Sequence, residues 1–592
     1  ELAAARVASL NMTELAERVL DRFAVLTAGS RTAEARQQTL RNAVDWSHDL
    51  LTASEQRLFR RLAIFRGGWT LAAAEAVVTD PELPAADVLD VLERLVKQSV
   101  VVADTAGGRS RYRMLETLRQ YAVERLVAAD EGDVLAAAHA AYFVRLGQQV
   151  ESGLRGPGQQ RWLEALRAEH SNVRAALGWL IDTHDAHDNA DEALTLAGSL
   201  GLYWHMGRHI EGREILRRVM ALPGGSPRAR ARALQAVSLV ERPRACLVHP
   251  SAQCAAAAQE SLEIFEAIGD RRAAAFSRLL LSVEGVAGGS RVNASALLED
   301  ADREFTALQD DWGLAVVGFV RMETLAKRGD EAGFRAVAGE AAARFRSLGD
   351  GWGLSAVLYH LGWALSRFGH DAEAVPVLRE SIEVAGRAGV YNTVQWATAD
   401  LGLALLSLGR VEEASACFER VGSVSDQVGD DAGRTLATYG EAVMARRRGD
   451  HVTARPLFES AYRAFERLGV RLATGLALAG VANCDERRGD HSSARDGYRA
   501  LVALGESAGE IGLIATGLEG LARAALAAGD PQHAAELLGR ASRLREAYDR
   551  PPTPDEQADA ERTAPATRSL LDDPAYAAAR QRGAAYGLDG TG

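Results

Sequence analysis

At 592 residues the chain is too long for a single compact core, and with 25% charged and 47% apolar residues it has the make-up of a globular protein. A net charge of −12 repels phosphate backbones, which disfavours non-specific nucleic-acid binding by the chain as a whole. No apolar run reaches the roughly 18 residues of a membrane-spanning helix, and no basic-then-apolar start reads as a signal peptide. The 4 widely spaced cysteines make no disulfide framework, so a reducing cytoplasm is the expected compartment.

Residues 36–128 read as a small domain. Thr52-Ala-Ser-Glu55 is a capping box and predicts a helix through Phe65. Trp69 to Val78 predicts a second, short helix, broken by Pro81 and Pro84. Ala86 to Gln98 predicts a third, with Val88, Leu89, Leu92 and Leu95 on one side. Val100–Val102 and Arg111–Met114 then read as two strands around a turn at Ala106-Gly-Gly108, and Met114–Leu126 returns to helix. Three helices and a hairpin are the winged-helix order. As a DNA reader this module is poorly equipped: Asp87, Asp90 and Glu93 outnumber Arg94 and Lys97 on the third helix, where a groove-reading helix should be basic. Arg109, Arg111 and Arg113 form its one basic cluster, a candidate wing contact, and docking inside the protein is the better reading of the domain.

From residue 129 to about 545 the chain is periodic. Gly329, Gly369, Gly409, Gly449, Gly489 and Gly529 follow one another at intervals of 40 residues, and Gly349, Gly389, Gly429, Gly469 and Gly509 run in phase. Ala374, Ala414, Ala454, Ala494 and Ala534 make a third column, and Leu378, Phe418, Phe458, Tyr498 and Leu538 a fourth. The stretches between glycines are apolar at helical spacing, so each unit is helix, Gly turn, helix, Gly turn. A small residue on the first helix (Gly362, Gly402, Ala442, Ala482, Ala522) stands 12 before the Ala column, where it lets the pair approach closely. Units of this kind bury their apolar faces only against neighbours and form a solenoid. The column spacing resembles the tetratricopeptide repeat, lengthened from 34 to 40 residues in the loop between pairs. Gly289, Ala294, Leu298, Gly207, Gly212 and Leu216 carry the frame upstream. The predicted fold is mainly all-α: a winged helix followed by a tetratricopeptide-like α-solenoid. Residues 546–592 form C-terminal capping helices and a tail, with Thr553-Pro-Asp-Glu556 as a capping box.

Glu1–Arg6, Gln38–Ser47, Leu62–Trp69 and Tyr112–Ala122 together resemble bacterial signal-transduction NTPases (STAND proteins) of the AfsR/LuxR-regulator type. The resemblance implies an order of NTPase domain, winged helix and tetratricopeptide repeats, with residues 1–35 as the end of the NTPase lid and a linker. This sequence departs from the family in having no Gly-Lys pair and so no phosphate-binding loop. ATP and magnesium are therefore expected only in a missing upstream domain; for this chain we expect no cofactor, no metal and no enzymatic activity.

Cys246, His249 and Cys254 lack the fourth ligand and paired spacing of a zinc site, and Cys417 and Cys484 read as small core residues. Glu412-Glu413 and Asp430-Asp431 read as solvated helix starts. If the first helices of the pairs line the concave face, the positions turned away from the small-residue column are Tyr359, Trp363, Trp396, Tyr439, Arg446, Asn483, Glu486, Glu519 and Arg523. Aromatic residues flanked by charges suit a peptide-binding groove; inter-repeat packing with solvated polar residues is the competing reading. The function expected is that of the sensor portion of a STAND transcriptional regulator. Its solenoid binds a protein, peptide or small effector, and its winged helix relays the event to the NTPase. A free-standing adaptor for protein partners is the alternative.

Overall fold

The computed structural model describes residues 41, 44–104, 110–240, 252–288, 293–328, 330–428, 430–548, 552 and 554–585. They fall into two compact units. The first holds the described residues up to Gln149 with Glu164–Leu196 and Leu222–Gly225; the second holds Val150–Leu163, Ala197–Ala221 and the described residues from Ser226 onward.

The first unit opens with α1 (Ala53–Leu62), whose capping box forms as read: Thr52 Oγ1 accepts from Glu55 N and the Glu55 carboxylate accepts from Thr52 N. It ends at Leu62, short of Phe65. Next come β1 (Trp69–Thr70), α2 (Leu71–Val77), α3 (Ala85–Lys97), β2 (Val102–Asp104), β3 (Arg111–Arg113) and α4 (Glu116–Ala128). The three strands form an antiparallel sheet in the order β1-β3-β2, with Tyr112 opposite both Trp69 and Ala103. Three expectations need correcting. Trp69 and Thr70 start no helix; they pair with β3, and Thr70 then caps α2 through Ala73 N. On α3 the buried side is Val88, Val91, Leu92 and Leu95, while Leu89 is 38% exposed, because the stripe follows the helical repeat one residue round from where the sequence placed it. The strand at Val100 also starts later, since Val100 and Val101 are drawn into the core. The turn at 106–108 and Arg109 lie outside the described residues. Arg61, 6% exposed, ties the unit together by reaching Asp80 at 2.5 Å and Glu131 at 2.7 Å. Helices α5 (Gly132–Gly153), α6 (Gln159–Asp182), α7 (His184–His187) and α8 (Ala190–Ser199) continue the chain.

The second unit is a tetratricopeptide-like helical solenoid. After α9 (Gly201–Gly207) and α10 (His209–Met220), the first helices of the units are α11 (Pro227–Val240), α13 (Arg271–Gly288), α15 (Asp311–Arg328), α17 (Gly351–Arg367), α19 (Tyr391–Ser407), α21 (Asp431–Arg447), α23 (Arg471–Arg487) and α25 (Ile511–Ala527). Between them run α12 (Ala252–Ala267), α14 (Ala294–Ala307), α16 (Glu331–Leu348), α18 (Asp371–Ala388), α20 (Val411–Val428), α22 (His451–Leu468) and α24 (His491–Ala508). Helices α26 (Pro531–Ala547), α27 (Pro554–Ser569) and α28 (Asp573–Ala585) close the stack; Thr553 lies outside the described residues.

The turns form for the reasons read from the sequence. The turn glycines from Gly349 to Gly529 that are described have φ between 66° and 83°, the left-handed region in which a side chain is strained. Asp330, Asp350, Asp450, Asp490 and Asp530 then cap the next helix, each accepting from the backbone N–H three residues on. Such a cap stabilises a helix by about 1 kcal/mol. Between units, Gly440, Gly480 and Gly520 press on Phe418, Phe458 and Tyr498 so closely that an added Cβ meets the rings at 2.1, 2.5 and 2.4 Å.

Candidate functional site

Two contacts among the described residues join distant turns of the solenoid, and both involve the first helix α17. Arg367 Nη2 at the end of α17 reaches Glu510 Oε2 at the start of α25 at 3.4 Å, and His205 of α9 meets the Trp352 ring edge-on at 5.8 Å. The residues singled out for the concave face differ in exposure: Tyr359, Trp396 and Glu519 are buried, whereas Trp363, Tyr439, Arg446, Asn483, Glu486 and Arg523 are half-buried.

Glu486 and Arg523 are brought together. Arg523 Nε donates to Glu486 Oε1 at 2.8 Å, Tyr498 Oη donates to Glu486 Oε2 at 2.8 Å, and Arg523 Nη2 donates to Tyr498 Oη at 3.0 Å. Burial pushes the Tyr498 hydroxyl far above its ordinary value. Glu519 is bound separately by Arg545, at 2.7 and 3.0 Å. Tyr439 stands edge-on to Phe458 and Phe465, and the Arg446 guanidinium lies 5.9 Å from the Phe458 ring. The Trp363 ring lies 5.0 Å from the Arg367 guanidinium. Of these contacts only the Glu486–Arg523–Tyr498 set joins neighbouring units; the others lie within one unit or one helix, and the residues share no common centre.

Sequence reading missed a polar group beside Tyr359. His360 Nε2 lies 3.3 Å from Glu323, both nearly buried, and the Tyr359 hydroxyl donates to Asp400. Burial pushes Asp400 up to about 7, against the Tyr359 hydrogen bond and the nearby Arg367 charge. The signal was present: His360 and Asp400 occupy the column that reads Gly at 440, 480 and 520.

Among the described residues no group of three or more His, Cys, Asp or Glu side chains is placed to hold a metal ion, and Cys246 and His249 lie outside them. Cys254 and Cys484 are buried, and burial pushes the Cys484 thiol up to about 11, away from nucleophile chemistry. No described helix is long and apolar enough to cross a membrane. On the winged helix, α3 turns Asp87, Asp90, Glu93, Arg94 and Lys97 outward, and Arg94 is bonded to Glu55 at 2.9 Å. Arg111 is turned inward as well, paired with Glu169 and donating to Ala168 O at 2.6 Å, which leaves Arg113 as the exposed member of the predicted wing cluster among the described residues.

Residues 51–127 match the family described as "Winged helix-turn-helix domain". Over 346 residues, 57% of this chain, the sequence is 36% identical to the "Putative HTH-type transcriptional regulator" of Mycobacterium tuberculosis and to its counterpart in Mycobacterium bovis. The chain is a relative of regulators so described. The alignment spans 38% of their length. A shorter match, 36% over 157 residues and 40% of the relative, is to an "Uncharacterized protein" of Mycobacterium tuberculosis. Among solved structures, a STAND protein with a tetratricopeptide repeat sensor from Pyrococcus horikoshii aligns over 96% of this chain and 74% of its own, at 13% identity and a TM-score of 0.40. A Rap protein complexed with competence and sporulation factor covers 62% of this chain and 98% of its own, at 14% identity and a TM-score of 0.47. At those values the two likenesses add no weight to the geometry described above.

Proposed function

We propose that this chain is the sensor and regulatory portion of a STAND-type transcriptional regulator. Its solenoid takes a protein, peptide or small effector on the inner face, and its winged helix relays that event to an NTPase domain elsewhere in the protein. The observation that carries the reading is the pairing of two features in one chain. The winged helix has an acid-rich exposed third helix and an inward-turned Arg111, a surface suited to docking on protein rather than on phosphate. The solenoid offers half-buried aromatic and charged side chains along the first helices of its units. For an effector to act, it must prefer one arrangement of the winged helix and its partner domain over another.

The test uses the whole coding frame that contains this chain. Within about 300 residues upstream of Glu1, an in-frame phosphate-binding loop is expected. Deleting residues 293–592 from the resulting protein should change its rate of ATP hydrolysis at least tenfold. A start codon within a few residues of Glu1, or hydrolysis indifferent to the deletion, overturns the relay and leaves the adaptor reading.

A further inference from the structure

The segment Leu154–Gln159, which joins α5 to α6, does not belong to the repeats in sequence but lies against three of them. Arg155 places its guanidinium 5.5 Å from the Phe276 ring on α13 and 4.8 Å from the Trp312 ring on α15. Gln159, 2% exposed, donates to Asp350 Oδ1 at 2.7 Å and accepts from Trp352 N at 2.8 Å, at the start of α17. Asp350 is in turn held by Trp312 Nε1 at 2.8 Å. Pro157 comes so near Gly349 that an added Cβ there meets Pro157 Cα at 3.0 Å.

Trp312, whose ring faces Arg155 and whose Nε1 holds Asp350, stands where the unit before it has Arg272. Trp352 offers the segment its backbone N–H, while its ring packs on Ala385, Ala388 and Val390. The segment is also an imperfect occupant. Between its two anchors it is Gly156-Pro157-Gly158, and it holds on by two side chains rather than by a backbone ladder. Arg155 has Glu151 as a distant partner at 3.5 Å, and its buried Nε meets no acceptor among the described residues. An unsatisfied buried donor weakens the bound state relative to water, so this occupant is held less firmly than the site allows.

We infer that the notch made by Phe276, Trp312, Asp350 and Trp352 is a binding site for a tightly turned, arginine-bearing peptide segment, filled by the chain's own Leu154–Gln159, in which Gln159 N donates to Gly156 O at 3.0 Å, and exchangeable for such a segment from another molecule. The inference rests on the reading of the solenoid as a binding surface and names where an effector of that class enters. Arginine supplies a flat cation for the two aromatic rings, and an amide side chain four residues on meets Asp350 and the Trp352 N–H. A peptide that also satisfies the guanidinium Nε takes the notch and releases the joint between α5 and α6.

The probe is a fluorescein-labelled peptide copying residues 152–161, followed by anisotropy against the full chain. Arg155→Ala with Gln159→Ala empties the notch, and the peptide is expected to bind this variant at least tenfold more tightly than wild type. The same peptide carrying Arg155→Ala, with Arg161 kept, should bind the same variant at least tenfold more weakly. Equal binding to variant and wild type, or equal binding of the two peptides, overturns the site. If the double variant does not fold, hydrogen exchange on the wild-type chain decides: exchange across residues 150–163 must rise as unlabelled peptide is added, and no rise overturns the proposal. Loss of the notch while deletion of residues 293–592 still alters hydrolysis would leave the sensor reading standing without it.

Discussion

Position 400 shows how much one residue departs from its column. At 440, 480 and 520 the column holds glycine, with Phe418, Phe458 and Tyr498 pressed against it. At 400 the residue is aspartate, and the large-residue column supplies the smaller Leu378 in the unit before it. The column was legible from the period alone; the exchange of a small residue for a carboxyl and its burial were not, since they depend on how tightly the inner faces close. With its proton held to about 7 in the folded state, Asp400 lets folding retain a proton that the unfolded chain releases near pH 4. Stability therefore falls as pH rises from about 4 to about 7, by up to roughly 4 kcal/mol and nearer 2 kcal/mol once water at the half-buried carboxyl is allowed for. Asp400→Asn removes this loss. Urea unfolding should find the variant about 2 kcal/mol more stable than wild type at pH 8 and little different at pH 4. A difference independent of pH would place the carboxyl in water.

At the scale of elements, what was legible was what is local. The capping box of α1, the Gly-Asp turns and the helix boundaries from α16 to α26 depend on residues within one or two turns of each other. The misread pieces depend on distant partners: Trp69 and Thr70 are a strand because Tyr112 and Arg111 lie opposite them, and Val100 leaves the strand because the core takes it. The acidic residues read on the third helix of the winged module, Asp87, Asp90 and Glu93, lie on its exposed face together with Arg94 and Lys97. A helix so charged pays electrostatic repulsion on entering a groove lined by phosphates. Selection from a random pool of 20-base-pair duplexes with the full chain at 150 mM salt should enrich no sequence, and any binding should be weaker than about 1 µM. Sub-micromolar binding that is lost on Arg113→Ala would make the wing a DNA contact and this account wrong.

For the whole solenoid the question is how far a local fault travels. Units that touch only their neighbours confine damage to a few of them. Here the stack also meets itself across turns, by Arg367 with Glu510 and by His205 with Trp352. An ion pair at 3.4 Å with both partners part-exposed contributes little, on the order of 0–1 kcal/mol, whereas a side chain forced between packed helices costs about 1–3 kcal/mol. Neighbour contacts therefore dominate. Gly480→Val puts a side chain where even a Cβ lies 2.5 Å from Phe458 Cδ1 and 2.6 Å from Cε1 of the same ring. Native-state hydrogen exchange should show protection falling in α22 to α25 and returning to the wild-type level by α15. A uniform loss from α11 to α26 would mean that the contacts across turns bind the solenoid into one cooperative body, in which the inner face responds as a whole to anything that occupies it.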